Sequence, residues 1–378
     1  MLTRLYVDNY KTLVDFEFKP TKLCVLVGEN GSGKTNIGSV LHALTRLIVE
    51  GHSAEDAFPS RNLCRWSNSD VQTVKVDVRG MMGEFRYELR LRHDKSVGSV
   101  TVESERLLHL DETVFRSDAG TVSLFGGPLK APEDPSPKPT ATFPFDRRRS
   151  FLSTGDVGSP HVRSALFRAT LQYLRVLKPD PSTMLGRSEH DSPRLERNAN
   201  NLASWYRWFA QNLPERLNHY FEQLSAVLPG FRTLRAVDAG TDAKEVRAVF
   251  AVPSGGELSF SLEFLSEGQR QLLMLYLLLE AVGPWTTLYL DEPDNFISIR
   301  EVQPWLSELE RVLDERGAQA IIVSHGTEAM NYLGSRQAFV VTRPGGGATR
   351  IASHDGSDGS MPSEVVLYGS STGAEASK

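Results

Sequence analysis

The feature that most constrains the fold of this chain is a glycine-rich loop between an apolar strand and an amphipathic helix. The loop runs Gly28-Glu29-Asn30-Gly31-Ser32-Gly33-Lys34-Thr35 and matches the pattern G-x4-G-K-[ST]. Residues 23–27 before it are apolar, and apolar residues after it recur at helical spacing from Lys34 to Ile48. Glycine lets such a loop turn its backbone N–H groups towards phosphate oxygens without Cβ clashes. The sequence therefore predicts a strand–loop–helix unit that binds the phosphates of a nucleotide.

Two side chains of the loop have separate predicted roles. Lys34 would contact the β- and γ-phosphates, and the Thr35 hydroxyl would be a ligand of Mg²⁺. The N-terminus of the helix adds a positive end to the same site. The residues predicted to bind the nucleotide here are Gly28, Asn30, Gly31, Ser32, Gly33, Lys34 and Thr35.

Two carboxylates follow a second apolar strand at residues 287–290. Asp291 ends this strand, where a carboxylate beside a phosphate loop can hold Mg²⁺. Glu292 is placed to polarise an attacking water as a general base. On its own, Asp-Glu-Pro is also a common turn at the end of a strand. With the phosphate loop in the same chain, we predict the metal-binding and catalytic roles.

Two further segments have plain structural explanations when each is considered alone. Ser266 and Gln269 fit a capping box at the start of an apolar helix. His325 follows the apolar strand at residues 320–323, as many structural histidines do. Their order along the chain gives both segments a second interpretation.

The run Leu265-Ser266-Glu267-Gly268-Gln269 resembles the signature motif of ABC-type ATPases, and His325 resembles the switch histidine of that family. The resemblance implies that Ser266, Gly268 and Gln269 contact ATP held by a second subunit. The protein would then be a head-to-tail homodimer, or a larger homo-oligomer, with ATP between its heads. The catalytic residues implied for ATP hydrolysis are Lys34, Glu292 and His325, and the implied Mg²⁺ ligands are Thr35 and Asp291.

The positions of these motifs predict an α/β fold, because the carboxyl ends of parallel strands gather ligands at one edge of a sheet. The predicted class is a P-loop NTPase of the ABC/SMC ATPase-head type, with a mostly parallel helix-flanked sheet. An antiparallel β-meander lobe is predicted over residues 71–125, and a helical pattern over 161–228 that is interrupted near 178–192. The predicted units are residues 1–127 (N-terminal half of the head), 128–228 (Pro/Gly-rich loop and helical insert), 229–353 (C-terminal half of the head) and 354–378 (flexible tail).

The opening Asn9-Tyr10-Lys11, together with the glycine-rich loop, resembles RecF-like and OLD-like ATPases, the SMC-related branch of the class. The interval between Lys34 and Ser266 is also longer than a compact transporter subunit has. The resemblance implies action in DNA repair or in defence against phage. Since no nuclease motif is recognisable, it also implies control of a separately encoded effector. The alternatives are the ATPase subunit of a membrane transporter, or a nucleotide-clamped scaffold with little turnover.

Two features of the family are not placed firmly by the sequence. The Q-loop is expected between Arg61 and Asp70, without one residue that stands out. Asp294 and Asn295 lie where the D-loop begins, but the following residues depart from the usual pattern. The next helix is expected to begin near Pro304 and to end at Gly317.

Charge and composition limit the partners of the chain. Lys and Arg total 42 against 47 Asp and Glu, so the chain is not a globally basic nucleic-acid binder. Residues 145–178 are locally basic, which is compatible with nucleic-acid binding or with a solvated helical face. The basic residues of this segment are Arg147, Arg148, Arg149, Arg163, Arg168, Arg175 and Lys178, and its acidic residues are Asp146 and Asp156.

Cysteine content and hydropathy indicate a cytoplasmic protein. The chain has 2 cysteines, which excludes a disulfide framework and a four-cysteine zinc site. The apolar run at residues 272–279 is far shorter than the roughly 20 residues that a membrane span needs. We therefore expect a soluble protein in a reducing compartment, without a membrane partner.

Overall fold

The computed structural model describes residues 1–126, 138–154, 162–325, 332 and 338–354, and the strands within these ranges form three sheets. The strands are β1 (Leu2–Asp8), β2 (Phe16–Phe18), β3 (Leu23–Val27), β4 (Val71–Gly80), β5 (Gly83–Asp94), β6 (Ser99–His109), β7 (Glu112–Asp118), β8 (Thr121–Leu124), β9 (Ala141–Pro144), β10 (Leu174–Leu177), β11 (Arg187–Ser188), β12 (Phe231–Asp238), β13 (Lys244–Ala251), β14 (Glu257–Ser261), β15 (Thr287–Asp291), β16 (Gln319–Val323), β17 (Ala338–Thr342) and β18 (Arg350–His354). The α-helices are α1 (Lys34–Ile48), α2 (Ala54–Ala57), α3 (Val162–Gln172), α4 (Leu202–Asn212), α5 (Leu217–Val227), α6 (Glu267–Ala281) and α7 (Ile299–Arg316).

A six-stranded sheet in the order β10-β15-β16-β3-β17-β18 positions the motifs. Its first five strands run parallel, and β18 pairs antiparallel with β17. Every residue of β15 and β16 is buried, as expected for parallel strands covered on both faces. The predicted fold class, with a mostly parallel sheet, is confirmed.

Two apolar cores lie on opposite faces of this sheet because side chains alternate along β3. Cys24 and Leu26 belong to the core that contains α1, whereas Val25 and Val27 belong to the core that contains α6. The glycine-rich loop at the end of β3 is therefore held between two packed layers.

An antiparallel eight-stranded sheet forms the predicted meander lobe, in the order β2-β1-β4-β5-β6-β7-β8-β9. From β4 onwards each strand pairs with the next one in the chain. Buried and more exposed residues alternate along β4, so one face of the sheet lies on the α1 core.

The segment predicted as helical over residues 161–228 differs from the prediction at its centre. Helices α3, α4 and α5 are present, but β10 interrupts them earlier than expected and joins the parallel sheet beside β15. A third sheet pairs β13 with β11, β12 and β14.

Helix α7 begins earlier than predicted. Ser298 and Glu301 form a capping box that starts the helix at Ile299, and Pro304 lies inside it. The predicted end is correct, because Gly317 caps the helix with a φ of 63°.

Parts of all four predicted units fall outside the described residues. They are position 127 of the N-terminal half, positions 128–137 and 155–161 of the loop and helical insert, positions 326–331 and 333–337 of the C-terminal half, and positions 355–378 of the tail. None of the helices in the described part of the chain is long and apolar enough to cross a membrane.

Candidate nucleotide site

The glycine-rich loop has a backbone that its glycines make possible. Gly28 and Gly33 have φ values of 149° and 108°, in the region that disfavours L side chains. A Cβ on Gly28 would lie 2.1 Å from the Val341 carbonyl oxygen, and one on Gly33 would lie 2.2 Å from Thr349 Oγ1. Thr349, which the sequence analysis did not identify, is fully buried and donates a 2.8 Å hydrogen bond to the Ser32 carbonyl. Val341 of β17 and Thr349, just before β18, therefore pack closely against the loop.

Lys34 lies folded over the loop. Its Nζ donates to the carbonyl oxygens of Gly28 at 2.6 Å and Glu29 at 2.9 Å. Burial lowers the pKa of Lys34 to about 8, although the carboxylates of Glu292 and Asp291 act in the opposite direction. Its ammonium is therefore a desolvated charge at the position where phosphates are expected.

Thr35 and Asp291 form a pair suited to Mg²⁺. Thr35 Oγ1 donates a long 3.4 Å hydrogen bond to Asp291 Oδ1. Asp291 is 2% exposed, and its Oδ2 atom accepts no hydrogen bond from the described residues. Burial raises the pKa of Asp291. A buried carboxylate beside a hydroxyl fits the oxygen ligands that Mg²⁺ requires.

Glu292 is held for its predicted role by two neighbours. Its Oε2 accepts a 3.0 Å hydrogen bond from Asn295 Nδ2, and its Oε1 lies 3.3 Å from His325 Nε2. Its backbone has a φ of 57°, a strained conformation of the kind found at functional sites. Burial, followed by the charge of Lys34, lowers the pKa of His325, so the imidazole is neutral at pH 7.

Lys178 is a site residue that the sequence analysis placed in the basic segment. It follows β10, whose parallel pairing with β15 carries it to the same sheet edge. Its Nζ lies 3.5 Å from Asp291 Oδ2 and 3.7 Å from Glu292 Oε2. The sequence carries little signal for this position, because the preceding strand has only four residues and Arg175 interrupts its apolar side chains.

The expected Q-loop segment, residues 61–70, is hydrogen-bonded to the residues that follow β1. The Cys64 amide donates to Asn9 Oδ1 at 3.2 Å, and the Asn62 carbonyl accepts from the Lys11 amide at 2.7 Å. The residue beside Asp291 and Glu292 at the sheet edge that the structure identifies is Lys178.

The signature segment begins α6 with the predicted capping box. Ser266 Oγ accepts from the Gln269 amide at 3.2 Å, and Gln269 Oε1 accepts from the Ser266 amide at 3.0 Å. A Cβ on Gly268 would lie 2.5 Å from the Phe296 carbonyl oxygen, and Gln271 Nε2 donates to the Pro293 carbonyl at 2.7 Å. The start of α6 is therefore fixed to the segment that follows Glu292.

The sequence of the chain matches one family over most of its length. The matching family is described as "AAA domain, putative AbiEii toxin, Type IV TA system", and the match covers residues 23–331. The chain belongs to this family. The matched range of the AAA domain contains the loop, the signature segment, both carboxylates and His325. No curated protein matches the chain in sequence.

Solved structures of SMC heads share the fold of this AAA domain. An SMC head bound to the C-winged helix domain of ScpA matches with a TM-score of 0.58 at 15% identity, over 93% of this chain and 98% of that one. The SMC head with an extended coiled coil from Pyrococcus furiosus, bound to the C-terminal domain of ScpA, has a TM-score of 0.55 at 12% identity. The match covers 93% of this chain and 96% of that one. The SMC head with a coiled coil and joint from Pyrococcus yayanosii has a TM-score of 0.51 at 11% identity, over the same shares. The fold is that of an ABC/SMC-type P-loop ATPase head, while the RecF/OLD branch stays a prediction.

The basic segment of the AAA domain does not form one continuous basic surface within its described residues. Arg148 pairs with Asp146, and Arg163 pairs with Glu112 at 2.6 Å. Arg168 donates to the carbonyl of Val49 at the end of α1. Arg147 and Arg149 are exposed, Arg175 and Lys178 belong to β10 and its end, and Asp156 lies outside the described residues.

Proposed function

We propose that this chain binds ATP with Mg²⁺ and hydrolyses it at the edge of the parallel sheet. The observation that carries the proposal is the convergence of Lys34, Asp291, Glu292 and His325. Three adjacent parallel strands, β15, β16 and β3, bring them together. A helix N-terminus, an ammonium, a buried carboxylate and a carboxylate–imidazole pair are the groups that phosphoryl transfer to water uses.

The residues divide the chemistry between them. On binding ATP, Lys34 would exchange its contacts with the Gly28 and Glu29 carbonyls for contacts with the β- and γ-phosphates. Glu292, oriented by Asn295, would accept the proton of the attacking water. Neutral His325 would contact that water on the side that faces the γ-phosphate. Thr35 and Asp291 would hold Mg²⁺, which supplies charge neutralisation for the phosphates.

We infer that ATP is bound between two copies of the chain. Ser266 is exposed at the positive end of α6, where it can contact a phosphate that another head presents. Phe264 is 80% exposed and Phe296, beside Gly268, is 57% exposed. Exposed aromatic side chains around a helix N-terminus are what a second head would cover.

The biological role that we propose is control of a separately encoded effector in DNA repair or anti-phage defence. The family description refers to a toxin of a Type IV toxin–antitoxin system, and two of the similar SMC heads are bound to ScpA. Both facts support an ATPase that acts through another protein, and we propose a cytoplasmic location for that complex. The alternatives are a transporter ATPase and a scaffold that holds ATP without turnover.

The first experiment compares ATP turnover by the wild type and Glu292→Gln, with and without double-stranded DNA, alongside the mass in solution. We expect the variant to lose about 100-fold or more in kcat, to retain ATP binding, and to accumulate as an ATP-bound dimer. The control is Glu222→Gln on an exposed face of α5, which should match the wild type.

The outcomes separate the proposed functions. Unchanged turnover in Glu292→Gln would overturn the catalytic assignment, and tight ATP retention with negligible wild-type turnover would favour the scaffold. Stimulation by DNA would support a nucleic-acid trigger. Turnover that is indifferent to DNA would indicate a protein trigger, and strict dependence on a membrane permease would favour the transporter.

A further inference from the structure

A cavity of about 960 Å³ opens beside the nucleotide site, between α1, the end of α3 with β10, and the segment at residues 192–198. Its lining includes Lys178, Glu292 and Asn295 at one end and Val49 and Glu50 at the other. The lining includes no residue of the glycine-rich loop. The cavity therefore borders the catalytic carboxylates without being the phosphate site itself.

The cavity wall is rich in cationic side chains, and three of its arginines form no ion pair with the described residues. Within the described residues, the side chains of Arg175, Arg194 and Arg197 form no ion pair and donate no hydrogen bond, and Arg197 Nε is buried without a partner. Burial, with the neighbouring charge of Arg194, lowers the pKa of Arg175 to about 10. The basic residues of the lining are His42, Arg46, Arg175, Lys178, Arg194 and Arg197.

The acidic residues of the lining are engaged elsewhere or lie at the surface. Glu50 is 3.3 Å from His52, and Asp180 accepts from the Ser182 amide at 3.1 Å. Glu196 is exposed, and Glu292 is held by Asn295 and His325. Arg175 and Arg194 therefore repel each other in a partly buried space, a cost that an entering anion would remove.

The rest of the wall suits the body of a small molecule. Leu177 of β10 is buried, and Leu195 from the segment at residues 192–198 packs against the same core. A cavity near 1,000 Å³ that combines apolar walls with a few convergent charged groups is typical of a small-ligand site. Guanidinium groups bind phosphate through paired N–H donors.

We propose that this cavity binds a small phosphate-bearing organic molecule, with the phosphate on Arg175 and Arg194 and the organic part against Leu177 and Leu195. Lys178 lines the cavity and also neighbours Asp291 and Glu292, so an anion in the cavity competes with these carboxylates for the ammonium. Occupancy would then change the rate of ATP hydrolysis; this last step rests on the proposed ATPase function, whereas the binding site does not.

The test measures AMP and pyrophosphate binding by calorimetry to full-length Lys34→Ala protein, in which the glycine-rich loop has lost its ammonium. We expect binding to weaken about ten-fold for each guanidinium removed in Lys34→Ala/Arg175→Gln/Arg194→Gln. The matched control replaces two exposed arginines instead, Arg149→Gln and Arg232→Gln, and should bind like the parent. Any residual binding at the loop is common to all three proteins and cancels in the comparison.

Three results would overturn the proposal. They are equal affinity in the cavity variant and its control, no binding of either probe to the parent, or binding of a ten-nucleotide single strand in place of both small probes. If the double substitution fails to fold, the single Arg194→Gln variant gives the same comparison, because Arg194 lies outside the helices and strands. None of these outcomes depends on ATP turnover, so failure here is distinct from failure of the proposed ATPase.

Discussion

At the scale of single residues, the buried ammonium of Lys34 makes ATP binding depend on pH. Its pKa in the free protein is lowered to about 8, and the triphosphate that it would contact raises that pKa again. Above about pH 8 the free lysine is neutral and must take up a proton to bind, so affinity falls as pH rises. We expect the Kd for ATP to increase by about ten-fold per pH unit above pH 8.

This pH dependence can be measured by calorimetry with Glu292→Gln protein, which should not turn over the ligand. Titrations at pH 8 and above avoid the ionisation of the γ-phosphate of ATP itself. Lys34→Arg is the control because arginine keeps its charge throughout this range, so the slope should vanish. An equal slope in both proteins would show that another group takes up the proton.

Lys178 provides the second residue-scale prediction. Its ammonium neutralises part of the charge of Asp291 and Glu292 and lowers the pKa of Asp291 against the effect of burial. In Lys178→Gln the pKa of Asp291 rises, so the acid limb of the kcat profile moves to higher pH. We expect kcat at neutral pH to fall about ten- to hundred-fold, with a smaller change in KM.

The comparison for Lys178 is Lys178→Arg, which keeps the charge beside both carboxylates. Rescue of kcat and of the acid limb by arginine would assign the effect to the charge. A purely structural role predicts an unchanged pH profile in Lys178→Gln, even if the amount of folded protein falls.

At the scale of elements, Gly268 joins the start of α6 to the segment that follows Glu292. A Cβ there would lie 2.5 Å from the Phe296 carbonyl oxygen, so Gly268→Ala must push α6 and this segment apart. We expect a loss of about 1–3 kcal/mol in the free energy of unfolding, and less ATP-bound dimer in the Glu292→Gln background.

Urea unfolding and solution mass measure these two effects of Gly268→Ala. Gly283→Ala is the matched control near the other end of α6, because the nearest atom to its Cβ is 3.9 Å away. Equal stability and equal dimer formation in the two variants would contradict the packing argument.

Local patterns predicted the elements that carry the motifs. The strand β3 is a short apolar run, α1 has an apolar face at helical spacing, and α6 begins at a capping box. Local patterns also placed Asp291, Glu292 and His325 at one edge, since parallel strands end together. The four residues of β10 have no pattern that distinguishes them from a helix, and only their pairing with β15 makes them a strand. The start of α7 was wrong because Pro304 suggested an N-terminus, whereas the capping box of Ser298 and Glu301 fixes it earlier.

The cavity could not be predicted in this way. Its cations come from α1, from β10 and from the segment at residues 192–198, which are brought together only by the packing of these elements. In the sequence, Arg175 and Lys178 belong to a longer run of basic residues, most of which the structure places elsewhere. Local charge therefore indicated neither the position nor the partners of the basic groups.

At the scale of the whole molecule, Gln319 connects the chain's N-terminal strand with the parallel sheet. It is 3% exposed at the start of β16. Its side-chain amide donates to the carbonyl oxygens of Leu2 at 2.8 Å and Thr21 at 2.9 Å, while Oε1 accepts from the Leu2 amide at 2.8 Å. Since β1 lies in the eight-stranded sheet, these hydrogen bonds link the meander lobe to the sheet that carries the nucleotide site.

Replacing this amide should weaken the link between the two sheets. Gln319→Leu keeps the approximate volume but removes the donor to the Leu2 and Thr21 carbonyls and leaves the Leu2 amide only its 3.2 Å hydrogen bond to Thr287 Oγ1, at a cost of about 2–4 kcal/mol in total. Urea unfolding checks this against Gln303→Leu on the exposed face of α7, which should change stability by less than about 0.5 kcal/mol. If both variants unfold at the same urea concentration as the wild type, other contacts hold the sheets together. If only Gln319→Leu is destabilised and its ATP affinity also falls, the nucleotide site depends on the lobe through this side chain.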